Sequence, residues 1–225
     1  VTGGPAAADL PVAVLLERIA AGRGYVLPHH RFLAEHAPRA LAAYDALYRS
    51  ITMEAGALAP PDRERVWMAL LAIHRKFSWR IHLQRAREAG LSDADVAECL
   101  TLAAYAAGHD VLAFGAAEWS SEVTPGALAA AADTLFETAR GRMPAGTAHL
   151  VLTVCHATRG DQAGVRRHLP PALRAGIARA ALAEGLAYVL LECGVNALIE
   201  SVETWSAAAA AGECPPPYDA DGSRR

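Results

Sequence analysis

The chain has 225 residues, a formal net charge of −3, and 53% hydrophobic against 20% charged residues. That is the balance of a globular protein long enough to bury a sizeable core. Acids and bases are interspersed, so there is no basic field of the kind that tracks a phosphate backbone, and a nucleic-acid partner is not expected.

Apolar runs fall short of the roughly 18 residues of a membrane span. The opening VTGGPAAADLPVAVLLERIAAG has no basic residues ahead of its apolar ones, so neither a membrane association nor a signal peptide is expected. Cys99, Cys155, Cys193 and Cys214 are widely spaced and form no CxxC. Reduced thiols and a cytoplasmic location are the simplest expectation. Alanine is abundant, aromatic residues make up only 6%, and no stretch alternates with period two, so the expected class is all-α.

In chain order, residues 1–8 read as a loose leader. Asp9 is placed to cap a helix that stops at Gly22. A loop through Pro28 carries His29 and His30. Residues 32–53 follow as a helix interrupted at Pro38, with Leu41, Tyr44, Leu47, Tyr48 and Ile51 at helical spacing. Ala59-Pro60-Pro61-Asp62 is a helix start with Asp62 as the expected N-cap. The next helix buries Val66, Leu70 and Ile73. A break at His74–Lys76 leads to a helix from about Phe77 to Ala89, ended by Gly90. Ser92 with Asp95 begins another in capping-box fashion. Gly108 is expected to break it, with a further helix from His109 to about Ser121.

Pro125-Gly126 marks the expected hinge between halves. GHDVLAFGAAEW from Gly108 and GVNALIESVETW from Gly194 are related by an offset of 86. The same offset pairs Ala89-Gly90 with Ala175-Gly176, His82-Leu83 with His168-Leu169, and Arg80 with Arg166. An internal duplication is the reading. At constant offset Leu150 stands for Glu64, Asp161 for Arg75 and Gly164 for Ser78, which leaves His168 as the only retained candidate. Trp119 and Trp205 read as matching packing residues. The expected segments are N-terminal helices at 1–58, a first repeat at 59–124, a second, degenerate repeat at 125–213, and a loose or surface-draped tail at 214–225.

Glu64, His82 and Ala89-Gly90-Leu91-Ser92, in this order, resemble the carboxymuconolactone decarboxylase family, which includes the alkylhydroperoxidase D-like (AhpD-like) proteins. That pattern has a Glu on one helix, CxxCxxxH opening the next, and an AGL[ST] turn. Arg75 and Ser78 hold the two thiol positions counted back from His82. Eighteen positions separate Glu64 from His82, one fewer than in the family form. The resemblance implies an AhpD-like helical fold, here with two repeats fused, and a site in which Glu64 and His82 exchange protons. Without a CxxC, the peroxidase cycle through an intramolecular disulfide is not expected.

The expected activity is cofactor-free acid/base chemistry on a small anionic or carbonyl-bearing molecule: decarboxylation, isomerisation or ring opening of a lactone. His82 is the candidate acid/base, Glu64 its partner, and Ser78 a candidate nucleophile one turn from His82. Arg75, Trp79, His74 and His109 are candidates for substrate binding, a cation there favouring an anion or enolate. A non-catalytic ligand-binding or assembly protein on a degenerate scaffold is the alternative. A third reading has Glu64, His82, His74 and His109 holding a metal, although no ligand spacing calls for one. A homo-oligomer is expected.

Overall fold

The computed structural model describes residues 11–76, 79–119 and 121–219. The expected leader at 1–8, the cap Asp9, and Phe77 and Ser78 lie outside them. Among the described residues every regular element is α-helical, as the composition predicts. Two compact units divide at Ala55/Gly56.

The first unit holds α1 (Val12–Arg23), α2 (Pro28–His36) and α3 (Pro38–Thr52). Leu15, Ile19, Ala34, Leu41 and Ala42 form its core. Arg23 is buried beside it, ion-paired to Asp45 at 3.0 Å, with its guanidinium 3.7 Å from the centre of the Tyr48 ring. His29 and His30, expected in a loop, lie instead in the first turn of α2. Pro28 opens that helix, where its missing N–H costs nothing. The buried His30 accepts the Leu27 N–H through Nδ1 at 3.0 Å.

The second unit is built on two largely buried helices, α4 (Pro60–Ile73) and α8 (Ala145–Thr158). Twelve of the 14 residues of α8 are buried, which makes it the axis on which the others pack. Around the pair lie α5 (Trp79–Glu88), α6 (Asp93–Glu118), α7 (Pro125–Arg140), α9 (Gln162–Arg174), α10 (Arg179–Glu192) and α11 (Val195–Ala210). α4 packs on α5, α6 and α8, whereas α8 packs on α4, α6, α9, α10 and α11.

Ser92 caps α6 as expected, accepting the Asp95 N–H at 3.2 Å while Asp95 accepts the Ser92 N–H at 2.8 Å. Asp62 does not cap α4. Ala59 occupies that position, and Asp62 binds Arg65 at 2.9 Å from inside the first turn. Gly108 does not break its helix, since α6 runs through it for 26 residues. Gly194, its counterpart, does break the chain, with φ 87° between α10 and α11. A glycine inside a helix costs roughly 1 kcal/mol, too little to end one. Trp119 and Trp205 are not equivalent in packing. Trp119 is 53% exposed, whereas Trp205 is 2% exposed and donates to Pro215 O at 2.9 Å. That bond and two from Arg179, to Pro216 O and Asp219, fasten residues 215–219 across the surface.

Candidate functional site

Glu64 sits one turn inside α4, and His82 sits in the middle of α5. The carboxylate Oε2 lies 2.9 Å from His82 Nδ1, and the two residues are 4% and 3% exposed. A sequence separation one short of the family form therefore still closes the pair. Trp67, one turn beyond Glu64, stacks on the imidazole with centroids 4.7 Å apart, and Tyr188 of α10 also stacks on Trp67, at 4.8 Å. Tyr188 donates to Glu184 at 2.7 Å, and Glu184 in turn accepts the Leu58 N–H and faces Arg63. With Nδ1–H donated to the carboxylate, the ring is held in the tautomer whose Nε2 carries the lone pair.

Beside this pair runs a cleft of about 480 Å³ whose wall includes Arg75, Lys76, Trp79, Leu83 and Met68. Arg75 and Trp79 thus meet in one cleft, but neither Glu64 nor His82 is on its wall. Arg75 has φ 52°, the left-handed region where a side chain is unfavourable, alone in this among the described non-glycine residues. Lys76 reaches Glu192 at 3.5 Å. His74 faces Cys193, its Nε2 3.6 Å from the sulfur, and burial lowers its pKa despite Glu192 nearby. His109 joins Asp161 rather than His82. The metal set of Glu64, His82, His74 and His109 is therefore not assembled: these four side chains serve three separate partnerships. The proposed nucleophile Ser78 lies outside the described residues.

The second half repeats this geometry with a one-residue slip. α4 and α8 both have 14 residues and start and end 85 positions apart. Their exits match bond for bond. The N–H groups of Arg75 and Lys76 donate to Ala72 O and Leu71 O, and those of Gly160 and Asp161 to Ala157 O and His156 O. Gly160, with φ 71°, takes the place of Arg75. From the second helix onward the offset is 86, since α5 and α9 end at Glu88 and Arg174, and α6 and α10 begin at Asp93 and Arg179. Glu64 therefore corresponds to His149, not Leu150, and Asp161 corresponds to Lys76, not Arg75.

His149 and His168 lie Nδ1 to Nδ1 at 2.9 Å, where the first half has Glu64 and His82. His168 stacks on His156 with centroids 5.3 Å apart and planes at 8°. His156 Nδ1 donates to Asp161 Oδ2 at 2.8 Å, and His109 Nδ1 reaches the same oxygen at 3.1 Å. The other Asp161 oxygen accepts the Gly164 N–H at 2.9 Å and caps α9. Burial lowers the pKa of both His149 and His156 to about 4, in the latter case against the pull of Asp161. His168 is lowered to about 2 by burial and by its two imidazole neighbours. Burial alone would raise the Asp161 carboxyl, but the Gly164 N–H and the facing imidazoles hold it below the usual range.

His109 also lines a second cleft, of about 790 Å³, with Arg166, Arg167 and a run of small apolar side chains from α6, α7 and α9. Sequence reasoning singled out His109 and His168 but missed His149, His156 and Asp161. The available signal was that 19 positions separate His149 from His168, the family's own Glu-to-His spacing.

No curated protein and no solved structure matches the chain. Residues 38–120 match the family model described as the Carboxymuconolactone decarboxylase family, a match that starts one helix earlier than the sequence resemblance and takes in all of α3. Over the segment that carries Glu64, Arg75 and His82, the chain is similar to the carboxymuconolactone decarboxylase family.

Proposed function

We propose that the chain is a carboxymuconolactone-decarboxylase-like enzyme that moves protons on a small anionic or carbonyl-bearing molecule, a lactone or related carboxylate. One observation carries this reading: the 2.9 Å bond between Glu64 Oε2 and His82 Nδ1 in a pair shielded from water. A carboxylate on Nδ1 orients the ring and stabilises the imidazolium once Nε2 has taken a proton. Arg75 and Lys76, on the neighbouring cleft wall, supply positive charge for a carboxylate or an enolate as it develops. Trp79 and Leu83 give that wall its apolar part. The thiols of Cys99 and Cys155 are buried and pushed up to about 12, which is opposite to the activation that a peroxidatic thiolate needs.

We also propose that the chain is a fused pair of repeats. The support is the correspondence of α4 with α8 and α5 with α9, with one residue added in the second turn. On this reading the second half has exchanged a Glu–His pair for a His–His pair, so the two sites have diverged in chemistry.

A second reading is favoured by burial: the pair sits under Trp67, away from the cleft wall, as a structural bond would in a non-catalytic scaffold. Deuterium exchange separates the two readings. A panel of lactones and 2- and 3-oxo acids is incubated with the protein in D2O, and incorporation at carbon is followed by NMR. The enzyme reading expects enzyme-dependent exchange for some member, reduced about 10²–10⁴-fold in a folded His82→Gln variant. Equal exchange in both proteins, or none in the wild type, favours the scaffold.

A further inference from the structure

We propose that His109, His156 and Asp161 form a binding site for a divalent transition-metal ion, independent of the Glu64–His82 reading. One ligand atom from each residue lies within 4.8 Å of the other two. The Nδ1 atoms of His109 and His156 are 3.1 and 2.8 Å from a single carboxylate oxygen, Asp161 Oδ2. Atoms bound about 2.1 Å from one ion lie about 3.0 Å apart at right angles and about 3.4 Å apart in a tetrahedron. To admit an ion, the nitrogen–oxygen edges need to open by a few tenths of an ångström and the nitrogen–nitrogen edge, within 4.8 Å, to settle into the same range.

The three residues come from three different elements, which fixes the triangle. His109 is on α6, His156 is in the last turn of α8, and Asp161 caps α9. The Gly164 N–H holds the second carboxylate oxygen, an outer contact of the kind that orients a metal ligand. Gly164 itself leaves the space in which His156 sits, because a methyl group on it would overlap the imidazole at Nδ1.

Two imidazoles and one carboxylate suit zinc, cobalt or nickel rather than calcium or magnesium, which take oxygen ligands. Three protein ligands leave at least one coordination position for water or a substrate atom. His109 is on the wall of the larger cleft, so a small molecule entering there approaches the cluster. Arg159, the nearest cation to the cluster in sequence, is held by Asp110 at 2.7 Å.

The test is a Co²⁺ titration of the full-length, untagged, chelator-treated protein, followed by visible d–d absorption, with Zn²⁺ competition to confirm the site. Saturation at one equivalent is expected, with at least tenfold weaker affinity in Asp161→Asn and in His109→Gln. Asparagine keeps the cap of α9, and circular dichroism checks that both variants fold. His36→Gln, on an exposed histidine, is expected to bind like wild type. No saturable binding at one equivalent, or affinity unchanged in both folded ligand variants, overturns the proposal.

Discussion

His149 and His168 face each other Nδ1 to Nδ1 at 2.9 Å, in the place that a carboxylate and an imidazole occupy in the first half of the molecule. Two nitrogens at that distance share one proton, so one ring donates and the other accepts. In the first half the partner of His82 is the Glu64 carboxylate. In the second half the partner is another imidazole, and burial with like neighbours keeps His168 neutral. One exchange of residue type thus leaves His168 paired with an imidazole in place of a carboxylate.

Restoring the carboxylate should reverse this. His149→Glu is expected to raise the His168 pKa by about 1–3 units, the range for an opposite charge in contact. Titration of the imidazole C–H resonances by NMR reads the shift directly. An unchanged His168 would show that burial alone sets its protonation.

The first-half pair should be energetically coupled. Glu64→Ala strands a buried Nδ1–H and is expected to cost roughly 1–3 kcal/mol. The double variant with His82→Ala should cost less than the two singles combined, by roughly 0.5–3 kcal/mol. Urea unfolding of the four proteins closes the cycle. Strict additivity would mean that the 2.9 Å bond contributes nothing.

What the sequence disclosed was local. The Ser92 cap and the Gly90 stop depend on residues within one turn of each other, and they stand where the spacing put them, whereas α4 begins at Pro60, three residues before the start that Asp62 as a cap implied. Gly108 misled, because whether a glycine ends a helix is decided by packing, and α6 has neighbours on α4, α7 and α8 to hold it through the weak point. Gly, His and Trp matches pointed to two repeats, but a constant offset hid the slip at the turn before α9. That slip passed Glu64's place to Leu150 and concealed His149. The Asp161 cluster was out of reach for a different reason: His109 meets Asp161 across 52 positions, and no local rule brings them together. Only the His156–Asp161 half, five positions apart around Gly160, left a trace in the sequence.

Acid should weaken the first unit through His30. Burial, followed by the charges of His29 and Arg23, lowers its pKa to about 4 against the opposing pull of Asp45. The unfolded chain titrates near 6.5. Between those values the unfolded state binds the extra proton, so the stability from neutral His30 is full above about pH 6.5 and is lost as pH falls toward 4. Protonation also removes the Nδ1 lone pair that accepts the Leu27 N–H. His30→Gln is expected to flatten the pH dependence of urea stability in that window, and an unchanged slope would remove His30 from the account.

Arg75 sets backbone strain against charge. Its φ of 52° lies in the left-handed region, which costs an L residue roughly 1–2 kcal/mol. At the matching exit from α8 the chain uses Gly160, with φ 71°, and avoids that cost. Arg75→Gly should therefore stabilise the protein by about 1 kcal/mol, read as a higher urea midpoint with unchanged slope. The same variant removes a cation from the cleft wall that also carries Lys76 and Trp79. If Arg75 is kept to hold an anion, the stabler variant should bind carboxylates more weakly, with a larger KM or Kd and a shallower dependence on salt. A variant that gains stability and binds as before would leave the strained backbone without a function. One that loses stability would show that the side chain returns more in packing than its backbone costs.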